Sequence, residues 1–133
     1  MPADSTSLDL LTDEIIDAVY KVHKEMGPGL LESIYTYCLI EELKFRNLNV
    51  LKEVQVPLFY RGIQLPKDFR LDLLIENEII MEIKSVEIIN PVYAAQVISY
   101  LKLMDKRIGY VINFNVKLIK DGIRRYVNKY YDE

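Results

Sequence analysis

The chain has 133 residues, 50% of them hydrophobic, with a formal net charge of -3, one cysteine and one histidine. That length and apolar content are enough for one core of domain size without covalent staples. A single cysteine excludes an internal disulfide, a lone Cys and His exclude a zinc site built from those ligands, and the acidic balance leaves any nucleic-acid contact to local basic patches.

Residues 1–7 are small and polar and are expected to be a frayed lead-in. From Thr12, read as an N-cap with Asp13 and Glu14 in the first turn, apolar residues recur at Ile15, Ile16, Val19, Val22 and Met26, which is helical spacing. Gly27-Pro28-Gly29 stops that helix, and Leu30, Leu31, Ile34, Tyr35, Cys38, Leu39 and Leu43 predict a second one ending near Asn47. Val54, Val56 and Leu58 then alternate with Glu53, Gln55 and Pro57, the pattern of a half-buried strand whose proline favours an edge or a bulge. Arg61-Gly62 is the expected turn. Phe69 to Ile75 and Ile79 to Ser85 read as two strands around the loop Glu76-Asn77-Glu78. Asn90 caps a helix that starts with Pro91 and runs through Ala94, Ala95, Val97, Ile98, Leu101 and Met104. Ile108 to Phe114 is a further strand, and the basic tail from Lys117 to Tyr131 is a last strand or short helix. The order ααβββαβ plus that final element predicts an α/β fold, a mixed sheet flanked by helices. No apolar run reaches the ~20 residues of a bilayer span, and the N-terminus lacks the basic-then-apolar layout of a signal peptide, so a cytoplasmic protein is expected.

Chemistry concentrates in FRLDLLIENEIIMEIKS, Phe69 to Ser85. Period two places Arg70, Asp72 and Leu74 on one strand face, and Ile80, Glu82 and Lys84 on one face of the next. A three-residue loop at 76–78 pairs Ile75 with Ile79 and sets Asp72 opposite Glu82. Like charges so opposed need a proton or a cation between them. Hard oxygen ligands suit Mg²⁺ or Mn²⁺, which keep waters and accept phosphate oxygens, and Lys84 can hold or help deprotonate a water and offset phosphate charge. That combination suits phosphodiester hydrolysis. Taken alone, Glu82 and Lys84 read more commonly as surface ion-pair residues. Arg70 is either a phosphate contact or the ion-pair partner of Asp72. His23 and Cys38 lie in apolar helix patterns, which argues against a nucleophile-base pair.

Several segments resemble, in order and spacing, the bacterial and archaeal family named for its Gly-x-x-Glu-x-x-Tyr motif, a family grouped with the PD-(D/E)xK nuclease-like superfamily. They are GLLESIY (Gly29 to Tyr35), RLDLLI (Arg70 to Ile75), EIKS (Glu82 to Ser85), QVISYLK (Gln96 to Lys102) and GYVINFN (Gly109 to Asn115). The resemblance runs from about Thr12 to Asn128 and implies a restriction-endonuclease-like core, with residues 1–133 forming a single domain. It makes Glu32 the acidic residue supplied by the N-terminal helix, Asp72 the metal-binding aspartate, and Glu82 and Lys84 the acidic residue and lysine of the half-motif. The backbone carbonyl of Ile83 becomes a further metal ligand. Gln96 and Tyr100 resemble the Gln-x-x-x-Tyr motif that positions substrate or lysine, and Leu71 replaces the proline of the superfamily's name. Read without the resemblance, Glu32 is a charge favoured at a helix start, Gln96 and Tyr100 are a polar stripe, and Tyr35 is core or wall. The implied function is a Mg²⁺- or Mn²⁺-dependent nuclease acting on DNA ahead of RNA, with phosphate contacts from Lys102, Lys106, Arg107, Arg124 and Arg125. Two alternatives remain: a non-catalytic nucleic-acid- or protein-binding module, and an interaction domain that dimerises through the apolar edge Val50 to Tyr60. A partner protein supplying specificity fits the small size.

Overall fold

Leu8 continues the apolar stripe of Ile15, Val19 and Val22 toward the N-terminus, and helix α1 accordingly runs Ser5–Met26 in the computed structural model, which describes residues 5–129. Residues 5–7 are therefore helical where a frayed lead-in was expected, and residues 1–4 lie outside the described part. Thr12 is not a cap either. It sits mid-helix, buried, with its hydroxyl donating to the Asp9 carbonyl at 2.9 Å. Gly27 and Gly29 adopt φ +68 and +94, the left-handed region that lets the chain reverse in so few residues. Helix α2, Glu32–Phe45, buries Tyr35, Leu39, Ile40 and Leu43. The Arg46 fork after it joins both helices, with Asp17 at 2.9 Å, Glu14 at 3.2 Å and Glu42 at 2.9 Å.

Strands β1 (Val50–Tyr60) and β2 (Ile63–Ile75) form a hairpin. Its two turn residues, Arg61 and Gly62, have φ 50 and 80, the pair of positive values that suits strand twist. Pro57 sits on this edge strand beside a register shift between Pro57 and Phe59, meeting both expectations for it. Strand β2 starts well before Phe69, because pairing with β1 extends it into an arm whose Phe59, Tyr60 and Ile63 are exposed. Glu76 and Asn77, both at positive φ, turn the chain into β3, Ile79–Lys84. Helix α3, Val92–Met104, starts where Asn90 accepts the Val92 N–H, and returns the chain to β4, Ile108–Asn113, parallel to β3. The tail holds both elements that the sequence left as alternatives, a 3-10 turn at Ile119–Gly122 and strand β5 at Ile123–Val127; Tyr131 lies outside the described residues.

Among the described residues the strands form one mixed five-stranded sheet in the order β1-β2-β3-β4-β5. Helices α1 and α2 cover one face through Leu73, Ile75, Ile79, Met81 and Ile83. Helix α3 covers the other, setting Val97, Tyr100 and Leu101 on Leu71, Leu74, Ile80 and Val111. Ile98, one of the apolar residues that marked this helix in the sequence, is 39% exposed and does not join that core. Gly109 permits the close approach of α3, since a Cβ there would lie 2.7 Å from Val97 Cγ1. No described helix is long and apolar enough to cross a membrane.

Candidate active site at the split between two strands

Along β2, Leu73 and Ile75 join the α1/α2 core, whereas Leu74 and Leu71 both join the α3 core. Strict alternation would put Leu71 with Leu73, so the strand changes phase at Asp72. This overturns the expectation that Arg70, Asp72 and Leu74 share a face. Strand β1 breaks at the facing position: Lys52 pairs with Leu73 and Val54 with Leu71, while Glu53 between them adopts φ 54.

On its other side the β2–β3 ladder runs Ile75↔Ile79, Leu74↔Ile80, Leu73↔Met81 and ends there. That register brings Asp72 level with Glu82, as the three-residue loop requires. In place of ladder bonds, the Asp72 N–H donates to Glu82 Oε2 at 2.8 Å and the Ile83 N–H donates to Asp72 Oδ2 at 2.8 Å. Each carboxylate thus satisfies the backbone of the opposite strand. The Phe114 N–H takes the Lys84 carbonyl on the β4 side, so Ile83, one residue earlier, presents its N–H and C=O toward β2, where the ladder has ended.

Burial, and then the neighbouring Asp72 charge, push the Glu82 carboxyl up to about 7; only 5% of the residue is exposed. Asp72 is raised by burial against the opposing pull of the Ile83 N–H and Lys84, with the Glu53 charge adding to the rise. Arg70 is not among these influences and is exposed. Glu32 opens α2, and its carboxyl is raised by burial, lowered by Lys84 and by the Ser85 N–H, and raised by Asp72, which ties it to the same cluster. Its lead-in is fastened on two sides. The Tyr35 hydroxyl donates to the Gly27 carbonyl and accepts the Leu30 N–H, and Ser85 Oγ donates to the Leu30 carbonyl at 2.6 Å.

Lys84 Nζ lies 4.6 Å from the Tyr93 ring centroid. Tyr93 was not picked out in the sequence, although it precedes Gln96 by one helical turn and Tyr100 by two. Tyr100 is buried, its ring edge-on to Phe69 at 5.1 Å, and its hydroxyl is raised by burial and then by the charges of Glu82 and Asp72. Gln96 is half-buried on that side of α3. On the α2 side, Glu32 and Asp72 border a cleft of about 620 Å³ whose wall includes Tyr37, Lys52 and Glu53. The sequence pattern does not mark these three, because Lys52 and Glu53 come beside Asp72 only through the register of β1, and Tyr37 only through the packing of α2 against it.

The expected phosphate contacts lie elsewhere. Lys106 reaches Asn77 and Arg107 pairs with Glu78, at the start of β3 and about 13 Å along the strand from Glu82. Lys102 is in the last turn of α3, leading to that same end. Arg124 and Arg125 lie on β5, two strands from β3. His23 Nε2 donates to the Val116 carbonyl at 2.8 Å, and Cys38 packs half-buried on the α1/α2 core, so the two form no nucleophile-base pair.

Among the described residues no three His, Cys, Asp or Glu side chains make a ready metal cage. The donor set at the split is two carboxylates, each with one oxygen held by a backbone N–H, and the Ile83 carbonyl. Such a set fits an octahedral cation that keeps water and substrate oxygens, rather than one fully enclosed by protein. A family model described as the PD-(D/E)XK nuclease superfamily matches residues 9–126. Comparison with curated proteins and with solved structures finds no match.

Proposed function

The chain belongs to the PD-(D/E)XK nuclease superfamily, and on that premise we propose that it is a metal-dependent nuclease that hydrolyses phosphodiester bonds, in DNA ahead of RNA. The carrying observation is the mutual capture of Asp72 and Glu82 on each other's strand where the β2–β3 ladder ends. Asp72, Glu82 and the Ile83 carbonyl would hold Mg²⁺ or Mn²⁺, which supplies positive charge beside the scissile phosphate. Lys84 holds the attacking water and takes its proton or offsets the phosphate charge. The Tyr93 ring, 4.6 Å from Lys84 Nζ, holds the lysine head in place on the α3 side. Glu32 orients water from the α2 side, and Gln96 and Tyr100 border the site from α3. Gly29, Glu32 and Tyr35 stand in Gly-x-x-Glu-x-x-Tyr order, and the Tyr35 clamp on the Gly27 to Leu30 elbow gives that order a physical reason, which supports membership of the family named for it. The matched span supports reading residues 1–133 as one catalytic domain.

The test is hydrolysis of labelled single-stranded DNA, duplex DNA and RNA with Mg²⁺ or Mn²⁺. Lys84→Ala is expected to lose roughly 10²-fold or more, the scale of general acid-base catalysis. Absence of cutting by the wild type, or full activity in Lys84→Ala, refutes the proposal. Absence of cutting would favour a binding module instead, a reading supported by the way both carboxylates are already satisfied by backbone N–H groups.

A further inference from the structure

The cleft beside the carboxylates has an aromatic and a basic side chain in its wall. Tyr37 is 57% exposed, and Lys52 Nζ stands 3.0 Å from its hydroxyl and 4.2 Å from its ring centroid. Leu31, 73% exposed, lines the same cleft. We propose that the substrate enters as an unpaired strand, with a base beside the scissile phosphate stacked on Tyr37 and its phosphate on Lys52. This rests on the nuclease reading above and names the form of nucleic acid that the site takes.

Size and charge both point this way. A cleft of about 620 Å³ lies in the size range of small-molecule pockets, roughly 300–1,000 Å³, which leaves room for a nucleotide but not for a duplex. A duplex presents a phosphate every ~1.7 Å and is commonly held through some six to ten phosphate contacts. Here the net charge is -3, and the basic residues of the α3 end and of β5 sit away from the site. An unpaired strand needs fewer cations, because aromatic stacking holds its bases. The Tyr37 hydroxyl raises the Lys52 pKa through its hydrogen bond, so the ammonium stays charged beside the ring. An entering base takes the exposed part of that ring while Lys52 meets the adjoining phosphate.

The experiment measures fluorescence anisotropy of a labelled 12-nucleotide DNA single strand and of its blunt duplex in EDTA, together with hydrolysis of both in Mn²⁺. The single strand is expected to bind at least about tenfold more tightly than the duplex. Tyr37→Ala should weaken single-strand binding by roughly tenfold, and Tyr37→Phe, which keeps the ring, should retain most of it. Lys52→Ala should also weaken binding and flatten the log-log salt slope by about 0.7, the loss of one phosphate contact. Lys120→Ala, which removes the same charge from the 3-10 turn, should stay within about twofold of wild type. No single-strand binding, equal or tighter duplex binding, or Tyr37→Ala behaving like Lys120→Ala would overturn the proposal. The two readings separate cleanly. Tyr37-dependent binding without cutting removes the nuclease reading and upholds the cleft, whereas duplex cutting that is as fast in Tyr37→Ala as in wild type removes the cleft and upholds the nuclease.

Discussion

Glu53 adopts φ 54 within a strand, a left-handed conformation that costs an ordinary residue about 1–2 kcal/mol. The strain coincides with the change of phase at Asp72, and it is this change that turns the Asp72 carboxylate toward β3 rather than to one face. Glycine takes such a φ freely, so Glu53→Gly is expected to stabilise the protein by about 1 kcal/mol, a gain of roughly 4 °C in Tm by differential scanning calorimetry. Glu53→Ala removes the same charge and keeps the strain, and should show no such gain. Loss of stability in Glu53→Gly would mean that the side chain, not the backbone, maintains the break. The pairing of Asp72 with Glu82 was legible in the sequence because the odd loop at 76–78 fixes parity. The break was not, since nothing marks a glutamate inside an alternating run as left-handed. Reading β2 as an unbroken period put Arg70 beside Asp72, where it is not found.

Helix α2 delivers Glu32 only as well as the elbow before it is held. Tyr35 stacks on Phe114 with ring centroids 4.5 Å apart and ties the two ends of the elbow through its hydroxyl. Tyr35→Phe keeps the stack and leaves the Gly27 carbonyl and Leu30 N–H without that partner, so a loss of about 1–3 kcal/mol is expected. A urea melt should show a lower midpoint with an unchanged slope; an unchanged midpoint would show that Ser85 alone holds the elbow. Elements with strong punctuation were readable: Gly27-Pro28-Gly29 ended α1, Arg61-Gly62 made the hairpin, and Asn90-Pro91 started α3. Thr12 misled because a threonine before two acids looks like a cap, yet the stripe extends back to Leu8 and its hydroxyl bonds back to Asp9. Lys106 and Arg107 were misplaced for a topological reason. Strand β4 is parallel to β3, so the residues that open it fall at the end remote from Glu82.

The molecule as a whole has one closed end and one divided end. At the closed end Arg107 pairs with Glu78, and Asn128 donates to the Leu101 and Lys106 carbonyls; at the divided end three carboxyl groups, all raised by burial, share one region. Glu82 keeps its proton in the folded state up to about 7, against the ordinary 4.5 of a glutamate in the unfolded chain. Folding therefore takes up a proton between those values, and stability falls as pH rises through them, by up to about 3 kcal/mol from this group. In EDTA the melting temperature is expected to drop between pH 5 and 8, and Asp72→Asn should flatten that drop. Added Mn²⁺ should raise the wild-type melting temperature more at pH 8 than at pH 5.5, since protons and cation compete for the same oxygens, and the variant should lose this response. A flat wild-type profile in EDTA would contradict the burial of Glu82. The division of the sheet also leaves an isotopic signature. Amide protons within the ladder at Leu73 to Ile75 exchange with deuterium only when the sheet opens, whereas those of Asp72 and Ile83 are sheltered by carboxylate oxygens alone. Two backbone amides thus report which way the carboxylates face, and their exchange should change on cation binding while the rest of β2 and β3 stays silent.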